Sequence, residues 1–361
     1  MRIGFVLSQP APYRDGIIES MHRNGLDIDV WYLHDTRWYH TEWNYSSPLK
    51  NVFYPTTENK NTFWGELNKD FVRRINDADY DVLIVNGIYP MTAMQILIHR
   101  IIKNKPYIIL ADTVEKNGPY VIRKYIYKHA KALFVAGKKS KQFFESIGVS
   151  RDKIHIGCYV YNNREIFEII EEARKERNER REKLGMSNEV FWYLFVGKLI
   201  PNRKIKNLLE AHKKCEDKVG LLIIGNGPDY GELNEYMRTH KNIISIEQVP
   251  VQELHEYYAI VDGYVHPGKE PYSLSEIEAA ISGIPIVTTN QVGAYLDVVC
   301  PGENGEILEL DDIDALEQAL VSIASGKFSK EKCSEMQEMI LDTHEPDVIA
   351  EKFIKVIGDI K

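Results

Sequence analysis

Residues 191–227 read FWYLFVGKLIPNRKIKNLLEAHKKCEDKVGLLIIGNG. An apolar run of strand length at 191–198 is followed by a segment with helical periodicity, and a second apolar run occupies 219–227. Strands that are apolar on both faces and alternate with helices are typical of parallel sheets that helices cover on both sides. This stretch therefore predicts a β-α-β unit of an α/β fold.

The same alternation occupies the rest of the chain and starts again near residue 191. The candidate strands are 2–8, 28–34, 81–87, 106–112, 131–137, 191–198, 219–227, 244–249, 263–268 and 284–289. A chain of 361 residues is too long for one ordinary core. We therefore predict two Rossmann-like domains with parallel sheets that face each other across a ligand cleft.

The domain boundaries follow from where the pattern is interrupted. We expect an N-terminal domain over 1–165, a C-terminal domain over 166–345, and a last helix, 346–361, that returns to the N-terminal domain. The segment 164–185 is rich in charged residues, which predicts a solvated helical connector between the domains.

Composition limits the class of protein. The net charge of −8 argues against nucleic acid as a partner. No segment approaches the roughly 18 apolar residues that a membrane span needs, and residues 1–14 lack the pattern of a signal peptide. The four cysteines lie far apart in sequence, which supports neither a disulfide framework nor a zinc site. We expect a cytoplasmic protein.

The most informative segment for function is HPGKEPYSLSEIEAAISGIPIVTT, residues 266–289. A short loop here precedes a predicted helix from about Leu274 to Ser282, whose first backbone N–H groups form an anion site suited to a diphosphate. Glu270 lies just before the helix and Glu278 within its opening turns. Two carboxylates beside an anion site suggest that they accept hydrogen bonds from hydroxyls of the same ligand, such as a ribose diol.

Positive charge is supplied by a second segment, in which Lys198 ends a strand and Arg203 and Lys204 open the next helix. Cations at this place would neutralise a leaving diphosphate. The alternative is that these cations, and the two glutamates, are ordinary solvated surface charges. Residue spacing alone leaves both interpretations open.

Together these segments resemble the retaining family 4 glycosyltransferases of the GT-B architecture. The family's Glu–seven residues–Glu signature corresponds to 270–278, and its Gly-x-Pro-hydrophobic strand to 283–287. Its basic strand-end motif corresponds to 197–199, with lysine where arginine is commoner. The Gly-x-Gly-Pro turn is found at 225–228, and the base-contacting segment falls at 249–251.

The resemblance implies a role for each matched residue. Glu278 would hold the donor ribose and Glu270 a hydroxyl of the transferred sugar. Lys198 and Arg203 would hold the diphosphate, with Lys204 as a substitute for the second cation. Further donor-binding positions that the resemblance implies are Gly197, Asn226, Pro250, Val251, Tyr272, Ser273 and Leu274.

The reaction implied is transfer of a sugar from a nucleotide diphosphate sugar, with UDP-sugar expected, to a glycan or lipid-linked acceptor of a bacterial surface polysaccharide. The anomeric configuration would be retained, with no cofactor, no metal and no obligatory protein nucleophile. Asp-x-Asp triplets occur at 77–79 and 312–314, but the first precedes a buried strand and the second is placed to cap a helix. Two alternatives remain: a nucleotide-sugar epimerase of the same architecture and a two-domain sugar-binding protein.

The first half matches the family less closely. Its loop at 8–14 contains Pro-x-Pro-Tyr-Arg, which resembles a branch of bacterial polysaccharide glycosyltransferases. Arg14 is a candidate for contact with a phosphate or an acceptor, with capping or packing as the alternative. Asp112 occupies the place where relatives often carry a catalytic histidine. Trp38 and Trp43 are candidates for stacking on acceptor sugars, with loop packing as the alternative.

Residues 116–144 contain eight lysines or arginines and no aspartate or glutamate. The expected helix within this segment has Val121, Tyr125 and Ile126 spaced for one apolar face. Its basic side predicts peripheral contact with anionic lipid through 119–141, at the inner face of the membrane. The alternative is an amphipathic helix that simply packs on the sheet.

Overall fold

The computed structural model describes residues 1–34, 47–62, 65–88, 90–115 and 120–360. The chain divides into two compact units. The first comprises Met1–Asn162 together with His344–Lys361, and the second comprises Asn163–Thr343.

The described strands, in chain order, are β1 Arg2–Leu7, β2 Asp27–Tyr32, β3 Val52–Phe53, β4 Lys60–Thr62, β5 Gly65–Leu67, β6 Val82–Asn86, β7 Tyr107–Ala111, β8 Ala132–Val135, β9 Ile154–Ile156, β10 Phe191–Val196, β11 Val219–Ile224, β12 Ile243–Ile246, β13 Gly263–His266, β14 Ile286–Thr289 and β15 Gly305–Leu308. All ten strands predicted from the sequence are confirmed among them.

The described α-helices, in chain order, are α1 Pro12–Arg23, α2 Lys69–Ala78, α3 Met91–Ile102, α4 Tyr120–His129, α5 Lys138–Ser146, α6 Asn163–Arg174, α7 Arg177–Leu184, α8 Ile205–Lys213, α9 Tyr230–Met237, α10 Val251–Ile260, α11 Leu274–Ile281, α12 Tyr295–Val298, α13 Ile313–Ala324, α14 Lys330–Thr343 and α15 Pro346–Gly358.

In the first unit seven of the described strands form a parallel sheet in the order β3-β2-β1-β6-β7-β8-β9, and β4 and β5 form a separate antiparallel pair. Phe5 of β1 lies between Val30 on one side and Ile84 on the other. The strands that follow β1 are therefore added first on one side of it and then, from β6 onward, on the other side, which makes β1 the switch point of the sheet. The helix α15 packs against α1, and its Phe353 stacks on Phe134 of β8 with ring centroids 3.5 Å apart. The last helix is therefore part of the first unit's core.

In the second unit the described strands form a six-stranded parallel sheet in the order β12-β11-β10-β13-β14-β15. The switch point of this sheet is β10, which pairs with β11 on one side and with β13 on the other. The predicted α/β class, with parallel sheets in two domains, is confirmed. The ligand cleft expected between the domains stays a prediction.

The segment 164–185 is helical, as predicted, but the expectation that it is a solvated connector is wrong. The segment forms α6 and α7, and α6 packs against α10 through a buried face that includes Ile166 and Ile170. Arg181 of α7 is buried and donates to Asp262 Oδ2 at 2.5 Å and to the carbonyl of Ile260 at 2.6 Å. The periodic apolar residues and a partly buried ion pair make these helices part of the second unit.

The single apolar face expected for α4 is also wrong. Val121 is 80% exposed and Tyr125 is 53% exposed, whereas Ile126 is buried together with Arg123. The helix therefore turns apolar side chains toward the outside as well as toward the sheet. No helix within the described part of the chain combines the length and the apolar content needed to traverse a bilayer.

Candidate functional site

Most of the predicted site residues of the second unit lie near the switch point of its sheet, where β10 and β13 are neighbours. The strands β10 and β13 are parallel neighbours, so their carboxyl ends lie side by side at the same edge. The loop 197–204 follows β10 and the loop 267–273 follows β13. In open α/β sheets, ligands bind beyond the carboxyl ends of the strands at such a switch point.

Close backbone contact holds these loops together. A Cβ atom on Gly268 would lie 2.4 Å from the carbonyl oxygen of Asn202, and one on Gly225 would lie 1.9 Å from the carbonyl oxygen of Gly197. The amide of Lys269 donates to Asn202 O at 2.7 Å. Only glycine permits these approaches, which explains physically why glycines occur at these strand ends.

Arg203 and Glu270 form the centre of the site. The guanidinium donates through Nη2 to Glu270 Oε1 and through Nη1 to the carbonyl of Lys269 at 3.0 Å. The backbone of Glu270 is fixed as well, because its amide donates to Gln291 O at 3.2 Å and its carbonyl accepts from Gly293 N–H at 2.9 Å. The Glu270 side chain remains 22% exposed, so it is oriented but accessible.

His266, which was not predicted from the sequence, contacts the other oxygen of the same carboxylate. The ring is buried, and its Nε2 lies 3.3 Å from Glu270 Oε2. The amide of Gly268 donates to His266 Nδ1 at 3.3 Å, so in the neutral ring the proton is on Nε2 and is donated to Glu270. Both oxygens of Glu270 thus have a partner that orients them.

Glu278 lies in α11 and is deeply buried, with 6% of its side chain exposed. Its Oε2 accepts from the Tyr258 hydroxyl at 2.7 Å, and its Oε1 lies 3.4 Å from His255 Nε2. Tyr258 and His255 belong to α10, which begins at Val251 after the N-cap Pro250. The helix α10 therefore connects the predicted base-contacting segment to the predicted ribose carboxylate.

The predicted anion site is the start of α11. Ser273 is the N-cap, and its hydroxyl accepts from the amide of Glu276 at 3.4 Å. The amides of Leu274 and Ser275 precede the first intrahelical hydrogen bonds, and a helix start favours negative charge. Tyr272 and Ser273 are buried beside this turn.

The three predicted cations differ in their surroundings. Lys198 is exposed at the end of β10. Lys204 has a left-handed backbone, with φ of 54°, and its Nζ lies 2.8 Å from Asp311 Oδ1. Arg203, and not Lys204, is the cation that contacts Glu270. The exposed Asn226 accepts from Gly227 N–H at 2.7 Å and donates to Glu247 at 3.1 Å, which fixes the Gly-x-Gly turn.

The first unit places Arg14 and Asp112 at the carboxyl edge of its sheet. Asp112 follows β7 and accepts from the Tyr159 hydroxyl at 3.2 Å. Arg14 lies in the first turn of α1, is 6% exposed, and has its guanidinium carbon 5.0 Å from the Tyr13 ring centroid and 5.2 Å from that of Tyr159. Within the described residues, its Nε and Nη1 have no hydrogen-bond partner.

Three further predictions have different outcomes. Trp38 and Trp43 lie outside the described residues. Asp312 is the N-cap of α13 and accepts from Ala315 N–H at 2.9 Å, as predicted. Asp79 ends α2 and pairs with Lys105. In the described ranges, no three or more His, Cys, Asp or Glu side chains are grouped as metal ligands would be.

The residues missed by sequence reasoning are His266, His255 and Tyr258. Only His266 could have been predicted from sequence, because it ends β13 and lies four residues before Glu270. His255 and Tyr258 gave no signal, because they act through the packing of α10 beside α11 and not through spacing along the chain.

Two parallel α/β units, with the candidate donor residues gathered at a switch point, define the class of GT-B glycosyltransferases. The sequence profile described as "Glycosyl transferases group 1" matches residues 176–356, half of the chain. The chain belongs to this family.

Curated relatives align over part of their length. The capsular polysaccharide biosynthesis glycosyltransferase CapM of Staphylococcus aureus is 26% identical over 172 residues, which cover 45% of this chain and 44% of that protein. A GDP-mannose-dependent alpha-mannosyltransferase of Mycolicibacterium smegmatis is 30% identical over 129 residues, 36% of this chain and 33% of that one. The chain thus spans less than half the length of these relatives.

Solved structures are similar over the whole chain. Anabaena Alr3699/HepE in complex with UDP has a TM-score of 0.74 at 14% identity and is matched over 99% of this chain and 100% of that one. A glycosyltransferase from Rickettsia africae ESF-5 has a TM-score of 0.76 at 15% identity, over 100% and 98% of the two chains. At these identities the likeness establishes the fold.

Proposed function

We propose that this protein is a retaining glycosyltransferase that moves a sugar from a nucleotide diphosphate sugar to a glycan or lipid-linked acceptor in bacterial surface polysaccharide synthesis. The observation that carries the proposal is the pair of carboxylates at the switch point. Glu270 is accessible and oriented by Arg203 and His266, and Glu278 is buried against α10.

Each residue has a role in this proposal that its contacts support. Glu278 retains acceptor capacity beyond its bonds to α10, because a carboxylate offers several lone-pair directions; it would take the ribose hydroxyls. Glu270 would take a hydroxyl of the transferred sugar. Arg203 uses two N–H groups within the protein, which leaves other guanidinium N–H groups for the diphosphate. The exposed Lys198 and the first amides of α11 would complete the anion site.

Separation of charge is the main electrostatic demand of this reaction. As the bond to the anomeric carbon breaks, negative charge develops on the leaving diphosphate, and cations already in place stabilise it without reorganisation. The acceptor hydroxyl would approach from the face that the diphosphate leaves, which retains the configuration. No metal is part of this proposal.

We propose a UDP-sugar as the donor. A structural neighbour is described as a complex with UDP-glucose. The Mycolicibacterium smegmatis relative and one from Corynebacterium glutamicum are instead described as GDP-mannose-dependent. In the first unit we propose that Asp112 takes the role of the catalytic histidine that relatives often carry, and that Arg14 contacts a phosphate or an acceptor. We expect a cytoplasmic location.

Calorimetric titration of UDP, GDP and their sugar conjugates tests the donor site. Glu278→Ala is expected to weaken binding of UDP and UDP-sugar by about tenfold or more, the worth of a hydrogen bond to a charged group. Glu270→Gln is expected to weaken binding of the sugar conjugate more than that of bare UDP. Glu235→Gln, an exposed carboxylate of α9, is the matched control. Unchanged affinities in both site variants would refute the assignment.

Turnover assays test the other parts of the proposal. Transfer is expected to continue in the presence of a metal chelator, and the product is expected to keep the donor's anomeric configuration by NMR. Turnover that a chelator abolishes and manganese restores would contradict metal independence. An inverted product would contradict retention, and isomerisation of the donor without transfer would indicate an epimerase.

A further inference from the structure

His266 is a buried side chain that joins the loop after β13 to the Glu270 carboxylate. It is the last residue of β13 and is 1% exposed. Its Nε2 lies 3.3 Å from Glu270 Oε2, and its Nδ1 accepts from the Gly268 amide at 3.3 Å. One ring therefore contacts both the backbone of the loop and the functional group that the loop carries.

The position of the His266 ring is fixed by its surroundings. Its centroid lies 6.0 Å from that of Phe195, a fully buried residue of β10. Gly268 is held at its carbonyl as well, which accepts from the Thr289 hydroxyl at 2.6 Å. A ring and a loop that are held in this way before a ligand arrives lose little further freedom on binding, which is what preorganisation requires.

The two contacts assign a chemical role to each nitrogen of the ring. A backbone amide can only donate, so Nδ1 is the acceptor and the neutral ring carries its hydrogen on Nε2. That hydrogen is donated to a carboxylate, and hydrogen bonds to charged groups are stronger than neutral ones. Glu270 Oε2 therefore has a fixed donor within the protein and keeps its other lone-pair directions for a ligand.

The two side chains that donate to Glu270 differ in what else they contact. Arg203, which donates to Oε1, is also the proposed partner of the diphosphate, so its loss affects the nucleotide and the sugar together. The hydrogen bonds that His266 makes in the described part of the chain go to Gly268 and Glu270. A change at His266 therefore separates orientation of the carboxylate from binding of the diphosphate.

We infer that His266 is a positioning residue that sets the preference of the site for a nucleotide sugar over the bare nucleoside diphosphate. The inference rests on the proposed function, in which Glu270 takes a hydroxyl of the transferred sugar. A hydroxyl meets a carboxylate at a favourable angle only when the carboxylate is held in one orientation. The bare nucleotide has no sugar to present to Glu270, so its binding does not depend on that orientation. Through His266 the protein distinguishes its donor from its product.

Two amide variants separate the two nitrogens of the ring. A glutamine amide reaches the position of Nε2 and can donate to Glu270, whereas an asparagine amide reaches only the position of Nδ1 and can accept from Gly268. Calorimetry is carried out with UDP and UDP-glucose and, in parallel, with GDP and GDP-mannose. His266→Asn is expected to weaken binding of the preferred nucleotide sugar by about tenfold and that of its nucleotide by less than about twofold. His266→Gln is expected to restore most of the preference.

A double-mutant cycle shows whether His266 acts through Glu270. In a Glu270→Gln background, His266→Asn is expected to weaken binding of the nucleotide sugar by less than about twofold further, because the carboxylate that it orients is gone. His212→Gln, at a fully buried histidine of the same unit, is the matched control and is expected to keep the preference. Binding of the bare nucleotide checks that each variant folds, and nitrogen NMR of the unmodified protein is expected to show an unprotonated Nδ1.

Several results would overturn the inference. Rescue by asparagine and not by glutamine would mean that His266 serves only the Gly268 amide, and full additivity in the cycle would mean that it does not act through Glu270. A hydrogen on Nδ1 instead of Nε2 would exclude the proposed contact. If the unmodified chain prefers its nucleotide sugar and His266→Asn prefers it equally, this inference fails while the proposed function stands. If the unmodified chain binds neither pair of ligands, the proposed function fails and this inference fails with it.

Discussion

Tyr258 of α10 donates its hydroxyl hydrogen to the carboxylate of Glu278 in α11, with 2.7 Å between the oxygens. Both side chains are buried, so this hydrogen bond to a charged group is sheltered from water. It fixes the direction of the carboxylate that we propose to hold the donor ribose. The position of α10 therefore determines part of the donor site, although Tyr258 was not among the residues predicted for it.

Tyr258→Phe keeps the ring and removes this hydrogen bond. The Glu278 carboxylate loses a partner that orients it, and the dissociation constant for UDP is expected to rise about tenfold, the lower range for a bond to a charged group. Calorimetry gives the value. Tyr193→Phe is the matched control, because it also removes a buried tyrosine hydroxyl, which donates to Leu320 O at 2.9 Å. Equal effects in both variants would indicate loss of stability and not loss of the site.

Gly268→Ala is expected to abolish most turnover. The added Cβ would lie 2.4 Å from Asn202 O and 2.6 Å from Arg203 Cα, both backbone atoms, so the loop that carries Arg203 must move. A displacement of about 1 Å in such a loop is expected to lower kcat by about a hundredfold. Transfer rate and thermal unfolding are measured together.

Gly231→Ala provides the contrast within the same unit. Gly231 lies in α9, and a Cβ there meets nothing within 4 Å. Replacing glycine by alanine in the first turn of this helix is expected to stabilise the protein by about 0.5 kcal/mol and to leave turnover unchanged. If Gly268→Ala behaved in the same way, the tight approach of the two loops would have no part in the site.

The central strands and the edge strand β12 could be predicted from sequence, and the short strands β3, β9 and β15 could not. The strand β11 is buried along its whole length, so it reads as a continuous apolar run. The strands β3 and β9 have only two and three residues, and β15 is mostly half-buried. Edge strands of this kind lack the long buried run on which the prediction depends.

The candidate site shows the same division between local and tertiary information. Glu270 and Arg203 follow strand ends, and topology brings strand ends together, so their contact was predictable in outline. The contacts of Tyr258 with Glu278 depend on how α10 packs beside α11. For α4, periodicity indicated an apolar face but not which of its apolar residues face outward, because a helix with apolar residues on both sides fits either orientation.

Arg203→Lys tests whether Arg203 or the adjacent Lys204 is the second cation of the diphosphate site. Lysine retains the charge but cannot donate to both Glu270 and the Lys269 carbonyl in a fixed plane. We expect kcat/KM for transfer to fall by about a hundredfold. Steady-state kinetics with the preferred nucleotide sugar gives the value.

Lys204→Gln is the companion variant. Its ammonium pairs with Asp311 near the surface, and such pairs contribute about 0–1 kcal/mol. We expect kcat/KM to change by less than about threefold. A larger loss in Lys204→Gln than in Arg203→Lys would mean that the neighbouring lysine is the cation that binds the diphosphate.

His212 makes the stability of the second unit depend on pH. Its ring is fully buried, with Nε2 3.0 Å from Val219 O and Nδ1 3.0 Å from the Tyr236 hydroxyl. The ring donates to the carbonyl and accepts from the hydroxyl, which is the arrangement of a neutral imidazole. Burial lowers the pKa of His212 from 6.5 to about 4.

The sign of the effect follows from where the proton binds. Between the two pKa values, 6.5 in the unfolded chain and about 4 in the folded one, the unfolded state binds a proton that the folded state does not. The free energy of unfolding therefore falls as the pH is lowered through this range, by up to about 3 kcal/mol. Stability is retained in full above the unfolded pKa.

His212→Gln tests this, because an amide can donate to Val219 O and accept from Tyr236 without taking up a proton. Denaturant unfolding at a series of pH values is expected to show a shallower slope in the variant, by about 1.4 kcal/mol per pH unit. His344, whose pKa is also lowered to about 4 by burial, lies in the first unit, so probes of the two units should separate the contributions. An unchanged slope for the second unit in His212→Gln would show that some other group binds the proton.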